Sequence, residues 1–129
     1  MQAEPAPSNH GAPSRRLSVL VADDEPMIVR AIQRVLERRG HEVHTAPDAH
    51  AALALLEGRD FDAVLVDDRM PGGGRSVLGR LQDTNYTGTA VLMTGGAIGG
   101  ADDVADAVHW LQKPFPFPSV ISLVENGHQ

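Results

Sequence analysis

Two short apolar runs of this chain each end in a pair of aspartates, Val19-Leu20-Val21-Ala22-Asp23-Asp24 and Ala63-Val64-Leu65-Val66-Asp67-Asp68. A third run, Val108–Gln112, ends in Lys113, the only lysine of the protein. If the three runs are parallel strands of one sheet, their ends gather several carboxylates and one ammonium at the same edge. Carboxylates packed together repel one another until a cation enters. The chemistry such a cluster offers is metal-assisted phosphoryl transfer. Each pair also has a plainer reading. Asp23-Asp24 ahead of Pro26 suits a helix N-cap, and Asp67-Asp68 ahead of Pro71-Gly72 suits a turn. Taken singly, neither pair decides; taken with Thr94 and Lys113 in chain order, the chemical reading prevails.

The elements that would position these groups alternate along the chain. Leu17–Ala22 reads as a buried strand, and Pro26 suits the first turn of a helix, where its missing donor is harmless. Ile28, Ala31, Ile32, Val35 and Leu36 form one apolar stripe that Gly40 ends. Glu42–Ala46 is a short strand, and Asp48 caps a helix running through Glu57. Asp62–Val66 is the most continuously apolar strand and belongs at the sheet centre. Gly72-Gly73-Gly74 and Gly95–Gly100 read as mobile loops, without the spacing of a P-loop or a dinucleotide fingerprint. A short helix is expected at about Arg75–Asp83, a strand at Thr89–Met93, a weak helix at Asp102–Ala107, a strand at Val108–Gln112 and a last helix at about Pro118–Glu125.

Five βα units in this length predict an α/β fold, a doubly wound five-stranded parallel sheet with helices on both faces. Ligands of such sheets sit beyond the carboxyl ends of the strands, where Asp23, Asp24, Asp67, Thr94 and Lys113 all fall. Residues 1–16, rich in Pro, Ser and Ala, read as a disordered leader or linker ahead of a domain at 17–129.

Composition narrows the classes. A net charge of −6 argues against nucleic-acid binding by this chain alone. No apolar stretch approaches the ~20 residues of a membrane span, and no signal peptide is visible. With no cysteine there is neither a disulfide framework nor thiolate chemistry, which fits a cytoplasmic setting. His41-Glu42-Val43-His44 is not a zinc helix motif, since its histidines are three apart in a strand.

Four motifs in order, Asp23-Asp24-Glu25-Pro26, Asp67-Asp68-Arg69-Met70-Pro71, Met93-Thr94-Gly95 and Gln112-Lys113-Pro114-Phe115, make the region from Leu17 to Val124 resemble the CheY-like receiver domain of two-component response regulators. The resemblance implies the flavodoxin-like strand order 2-1-3-4-5 and a phosphorelay function. Asp67 would accept phosphate from a histidine kinase or histidine phosphotransfer protein. Asp23, Asp24, Asp67 and the backbone carbonyl of Arg69 would hold Mg²⁺, with Asp24 the direct ligand and Asp23 acting through water. Lys113, the Thr94 hydroxyl and the amides of Asp68 and Gly95 would bind the phosphoryl group. Lys113–Pro114 would be a cis peptide, and Thr94 and Trp110 would be the switch pair, although plain edge-strand packing serves Trp110 equally well.

Such a module catalyses its own aspartyl phosphorylation and dephosphorylation, and a homodimer on phosphorylation is within its repertoire. The style of the Gln-Lys-Pro-Phe motif and the Pro-rich leader lean toward the terminal receiver of a hybrid sensor kinase over a free-standing one. The segment between Thr94 and Lys113 is shorter than usual for the family by roughly one helical turn, so the fourth helix is expected to be shortened. Two other readings compete. A receiver-like scaffold that binds partners without phosphorylation need not retain Asp24, Asp67, Thr94 and Lys113. A phosphatase of the haloacid dehalogenase type normally carries Asp-x-Asp after its first strand, which Asp23-Asp24-Glu25 does not supply.

Overall fold

The computed structural model describes residues 16–96 and 108–127. Its elements in chain order are β1 (Ser18–Ala22), α1 (Pro26–Arg38), β2 (Glu42–Ala46), α2 (Ala49–Gly58), β3 (Ala63–Asp67), α3 (Gly74–Asp83), β4 (Thr89–Thr94), β5 (His109–Gln112) and α4 (Phe117–Asn126). The five strands form one parallel sheet in the order β2-β1-β3-β4-β5, the flavodoxin-like order. The weak helix expected at Asp102–Ala107, the shortened fourth helix of the resemblance, lies outside the described residues. So do most of the 1–16 leader and most of the Gly95–Gly100 loop.

Side chains alternate across a strand with period 2, and the sheet divides the core accordingly. Val19, Val21, Ala63, Leu65, Val91, Met93 and Leu111 pack with Ile32 and Leu36 of α1 and Val120 and Val124 of α4. Leu20, Ala22, Val64, Val66 and Leu92 pack on the other face with Ala49 and Ala52 of α2 and Val77, Leu78 and Leu81 of α3. β3 is buried at every position, as a central strand covered on both sides must be. At one full Leu or Val burial worth about 1.5–3 kcal/mol, these two half-cores hold the sheet edge rigid.

Helix starts follow local chemistry. α1 begins at Pro26 with Glu25 as N-cap, and no side chain caps it. The aspartate pair therefore does not serve as the cap. Asp48 does cap α2, accepting a 2.8 Å bond from the Ala51 amide.

The Gly72–Gly74 run leads into α3 as a turn whose glycines have specific packing reasons. Gly72 and Gly73 have φ of +85° and +78°, a region that favours glycine. A Cβ on Gly72 would stand 2.7 Å from that of Ala49, and one on Gly74 would stand 2.3 Å from the Asp67 carbonyl oxygen. The run is glycine because backbone must pass close to α2 and to the end of β3.

Candidate functional site

Register and parity together bring the charged strand ends into one place. Ala22 pairs with Val66, Asp67 with Met93, and Met93 with Leu111. Asp23, Asp67 and Lys113 each continue the alternation of the face covered by α1 and α4. Asp68 and Trp110 continue the other. The Lys113 ammonium consequently reaches both buried aspartates, 2.8 Å from Asp23 Oδ2 and 2.8 Å from Asp67 Oδ1. The Lys113–Pro114 peptide is cis, and the Lys113 amide donates to the Thr94 carbonyl at 2.7 Å, fixing the lysine backbone to the end of β4.

Asp23 is 1% exposed and Asp67 5% exposed, whereas Asp24 faces solvent. Burial pushes the Asp23 carboxyl above the ordinary aspartate value; hydrogen bonds from Lys113 and the Glu25 amide offset part of this, and the Asp67 charge adds to it. Burial alone would depress the Lys113 ammonium, but its hydrogen bonds to Asp23, Asp67 and Glu25 raise it above the usual lysine value. It is a fixed cation at any physiological pH.

Carboxylate oxygens of Asp23, Asp24 and Asp67 lie within 4.8 Å of one another. Hard divalent cations take oxygen ligands and keep several waters, so three converging carboxylates with one side open to solvent suit Mg²⁺.

Other expected groups are placed as follows. Thr94 ends β4, is buried, and its hydroxyl oxygen accepts a 3.0 Å bond from the Gly96 amide. Gly95 is exposed beside it. The Asp68 amide is engaged, donating to the Met93 carbonyl at 2.8 Å as a continuation of the β3–β4 ladder. The amide that reaches the Asp67 carboxylate is the next one, Arg69, which donates to Asp67 Oδ2 at 3.2 Å. This is the turn chemistry of the plainer reading, and here it orients the carboxylate without excluding the chemical role. Trp110 is half-buried on β5, with the Arg75 guanidinium 5.9 Å from its ring centroid. Arg75 in turn donates to Asp68 Oδ1 at 3.0 Å.

Two groups escaped the sequence reading. Glu25, quoted only as part of a motif, places Oε1 2.7 Å from the Lys113 ammonium. His41 is buried: its Nδ1 accepts from the Leu17 amide at 3.1 Å and its Nε2 lies 2.9 Å from Glu125 Oε2. Those partners are 24 and 84 positions away, and no local pattern marks them. An acidic residue directly after the aspartate pair was the one available signal for Glu25.

Comparison with known proteins agrees with this geometry. Residues 19–125 match the response regulator receiver domain family. The chain is 36% identical over 107 residues to the transcriptional regulatory protein TcrA of Mycobacterium tuberculosis, covering 75% of this chain and 40% of that protein. It thus spans well under half of that relative. Among solved structures, response regulator TrrA of Thermotoga maritima in complex with Mg²⁺-BeF superposes with a TM-score of 0.74 at 26% identity, over 85% of this chain and 97% of that one. A response regulator of Burkholderia pseudomallei with a phosphorylated aspartic acid and a calcium ion gives 0.73 at 29% identity, over 86% of this chain and 68% of that one. With that family matched over residues 19–125 and the sheet in the order β2-β1-β3-β4-β5, the chain belongs to the receiver domains of two-component response regulators.

Proposed function

We propose that this receiver accepts a phosphoryl group on Asp67 from a histidine kinase or a histidine phosphotransfer protein in a Mg²⁺-dependent reaction, and that the modified site switches the conformation of the domain. The observation that carries the reading is the single ammonium of Lys113 bridging Asp23 and Asp67 at 2.8 Å each, beside the open carboxylate of Asp24.

Each residue has a physical task. An Asp67 oxygen attacks phosphorus in line, the bond to the donor imidazole breaks, and the imidazole nitrogen keeps the electron pair and takes a proton. The Arg69 amide holds the other Asp67 oxygen and so fixes the angle of attack. Lys113 and the Thr94 hydroxyl donate to phosphoryl oxygens as charge builds there, with the Gly95 amide beside them. Asp23, Asp24, Asp67 and the Arg69 carbonyl would hold Mg²⁺, with the Asp24 carboxylate open to solvent. The bound cation supplies neutralising charge to the phosphoryl oxygens.

Incubation with Mg²⁺ and phosphoramidate or acetyl phosphate, followed by intact mass measurement, tests the reading. A single phosphate adduct is expected in the native chain and none in Asp67→Asn. A native chain that binds Mg²⁺ yet gains no adduct from any donor is a binding scaffold instead. Rapid turnover of varied phosphomonoesters marks a hydrolase.

A further inference from the structure

Lys113 presents three N–H donors, and all three have carboxylate partners: Asp23 at 2.8 Å, Asp67 at 2.8 Å and Glu25 at 2.7 Å. To donate to a phosphoryl oxygen, the ammonium must give one of them up. The three are unequal. The Asp23 side chain is 0% exposed and that of Asp67 is 7% exposed, whereas that of Glu25 is 58% exposed. Releasing Asp23 would strand a buried carboxylate, which is costly. Asp67 is the acceptor itself. Released Glu25 simply regains water, and an exposed ion pair is worth only about 0.2–1 kcal/mol.

Among the described residues the Glu25 side chain makes no polar contact besides Lys113. It stands at the N-cap of α1, yet makes no side-chain cap bond there. Its backbone serves the helix and the pocket, accepting from Ile28 and Val29 and donating to Asp23 Oδ1 at 3.0 Å. The carboxylate alone is turned to Lys113.

We infer that Glu25 is a positioning residue, a releasable counter-ion that parks the Lys113 ammonium when the pocket holds no phosphoryl group and competes with that group for it. This rests on the acceptor reading of Asp67 and adds a residue to it. In the parked state Glu25 takes up part of the lysine charge that would otherwise press on Asp23 and Asp67. Those carboxylates then remain more available to a divalent cation. Its two effects on ligands are accordingly opposite in sign: it favours the cation and disfavours the phosphoryl group.

Titration calorimetry on the native chain, Glu25→Gln and Glu25→Asp, with Mg²⁺ alone and then with beryllofluoride in saturating Mg²⁺, reads both effects. Glu25→Gln is expected to bind beryllofluoride about two- to five-fold more tightly, the worth of one exposed ion pair, and Mg²⁺ more weakly. Glu25→Asp keeps the charge one methylene further back and is expected to fall between. Unchanged or weaker beryllofluoride binding by Glu25→Gln overturns the inference. Weakening of both ligands together with a lowered melting temperature also overturns it, assigning Glu25 a purely structural role. A native chain that binds Mg²⁺ but no beryllofluoride refutes the acceptor reading itself, a different result from either.

Discussion

At the scale of single residues, the site is a compromise between burial and charge. Asp23 is carried into the pocket by the parity of β1, and its carboxyl titrates above the ordinary aspartate value because burial disfavours the ionised form. An acid whose folded pKa lies above its unfolded value favours folding only while protonated. The contribution is full below the unfolded value of 3.8 and is lost as pH rises through the folded value. In metal-free protein, Asp23→Asn is therefore expected to raise the urea midpoint at pH 7, by up to about 1 kcal/mol in stability. The gain should shrink as pH falls below the folded value. A midpoint that drops at neutral pH would show that the Lys113 bond outweighs desolvation. Strain of this kind persists where function needs it.

At the scale of elements, the carboxyl edge of the sheet gathers the charged cluster while the opposite edge is tied by a polar knot. Arg39, just past α1, donates two bonds to Glu125 of α4, at 2.9 Å and 2.5 Å, and His41 joins Glu125 to the Leu17 amide ahead of β1. Burial by itself would push the Glu125 carboxyl up, but the hydrogen bonds from Arg39 and His41 hold it below the usual glutamate value. Its stabilising contribution is present above the unfolded value of 4.5 and fades as pH falls through the folded one. Glu125→Gln is expected to lower stability by about 1–3 kcal/mol at pH 7, as read from urea unfolding, and to flatten the acid limb of the stability profile. An acid limb identical to that of the native chain would show that other carboxylates govern it.

The same two edges show what the sequence could and could not disclose. Strand ends and the Asp48 cap were legible because each depends on neighbours within a few residues or on period-2 alternation, whereas strand order came only with the family resemblance. Even the convergence of Asp23, Asp67 and Lys113 follows from odd numbering along three strands once order and register are known. The Gly72–Gly74 run was not legible, since its need for glycine comes from Ala49 and from the Asp67 carbonyl. Nor was Glu25, whose partner Lys113 lies 88 positions away. The short distance between charges was readable as a motif; which carboxylates share the ammonium was a matter of three-dimensional reach.

At the scale of the whole molecule, a ligand that binds only the folded chain stabilises it by mass action. Magnesium at about 100 times its dissociation constant is expected to add about 2.7 kcal/mol, seen as a higher melting temperature. Asp67→Asn should lose most of that increment, and calcium should substitute in part because it accepts the same oxygen ligands. No increment in the native chain would mean that the three carboxylates do not act as one site. No helix of the described residues is long and apolar enough to cross a membrane.

The guanidinium of Arg75 over the ring of Trp110 has a practical corollary. The chain has one tryptophan, and a full positive charge beside an indole alters the colour and yield of its emission. Because the same guanidinium is hydrogen-bonded to Asp68, the neighbour of Asp67, an event that loosens that bond is expected to shift the emission. The protein carries its own fluorophore beside the acidic cluster, and adding Mg²⁺ and then beryllofluoride is expected to change its emission, a response read without a dye.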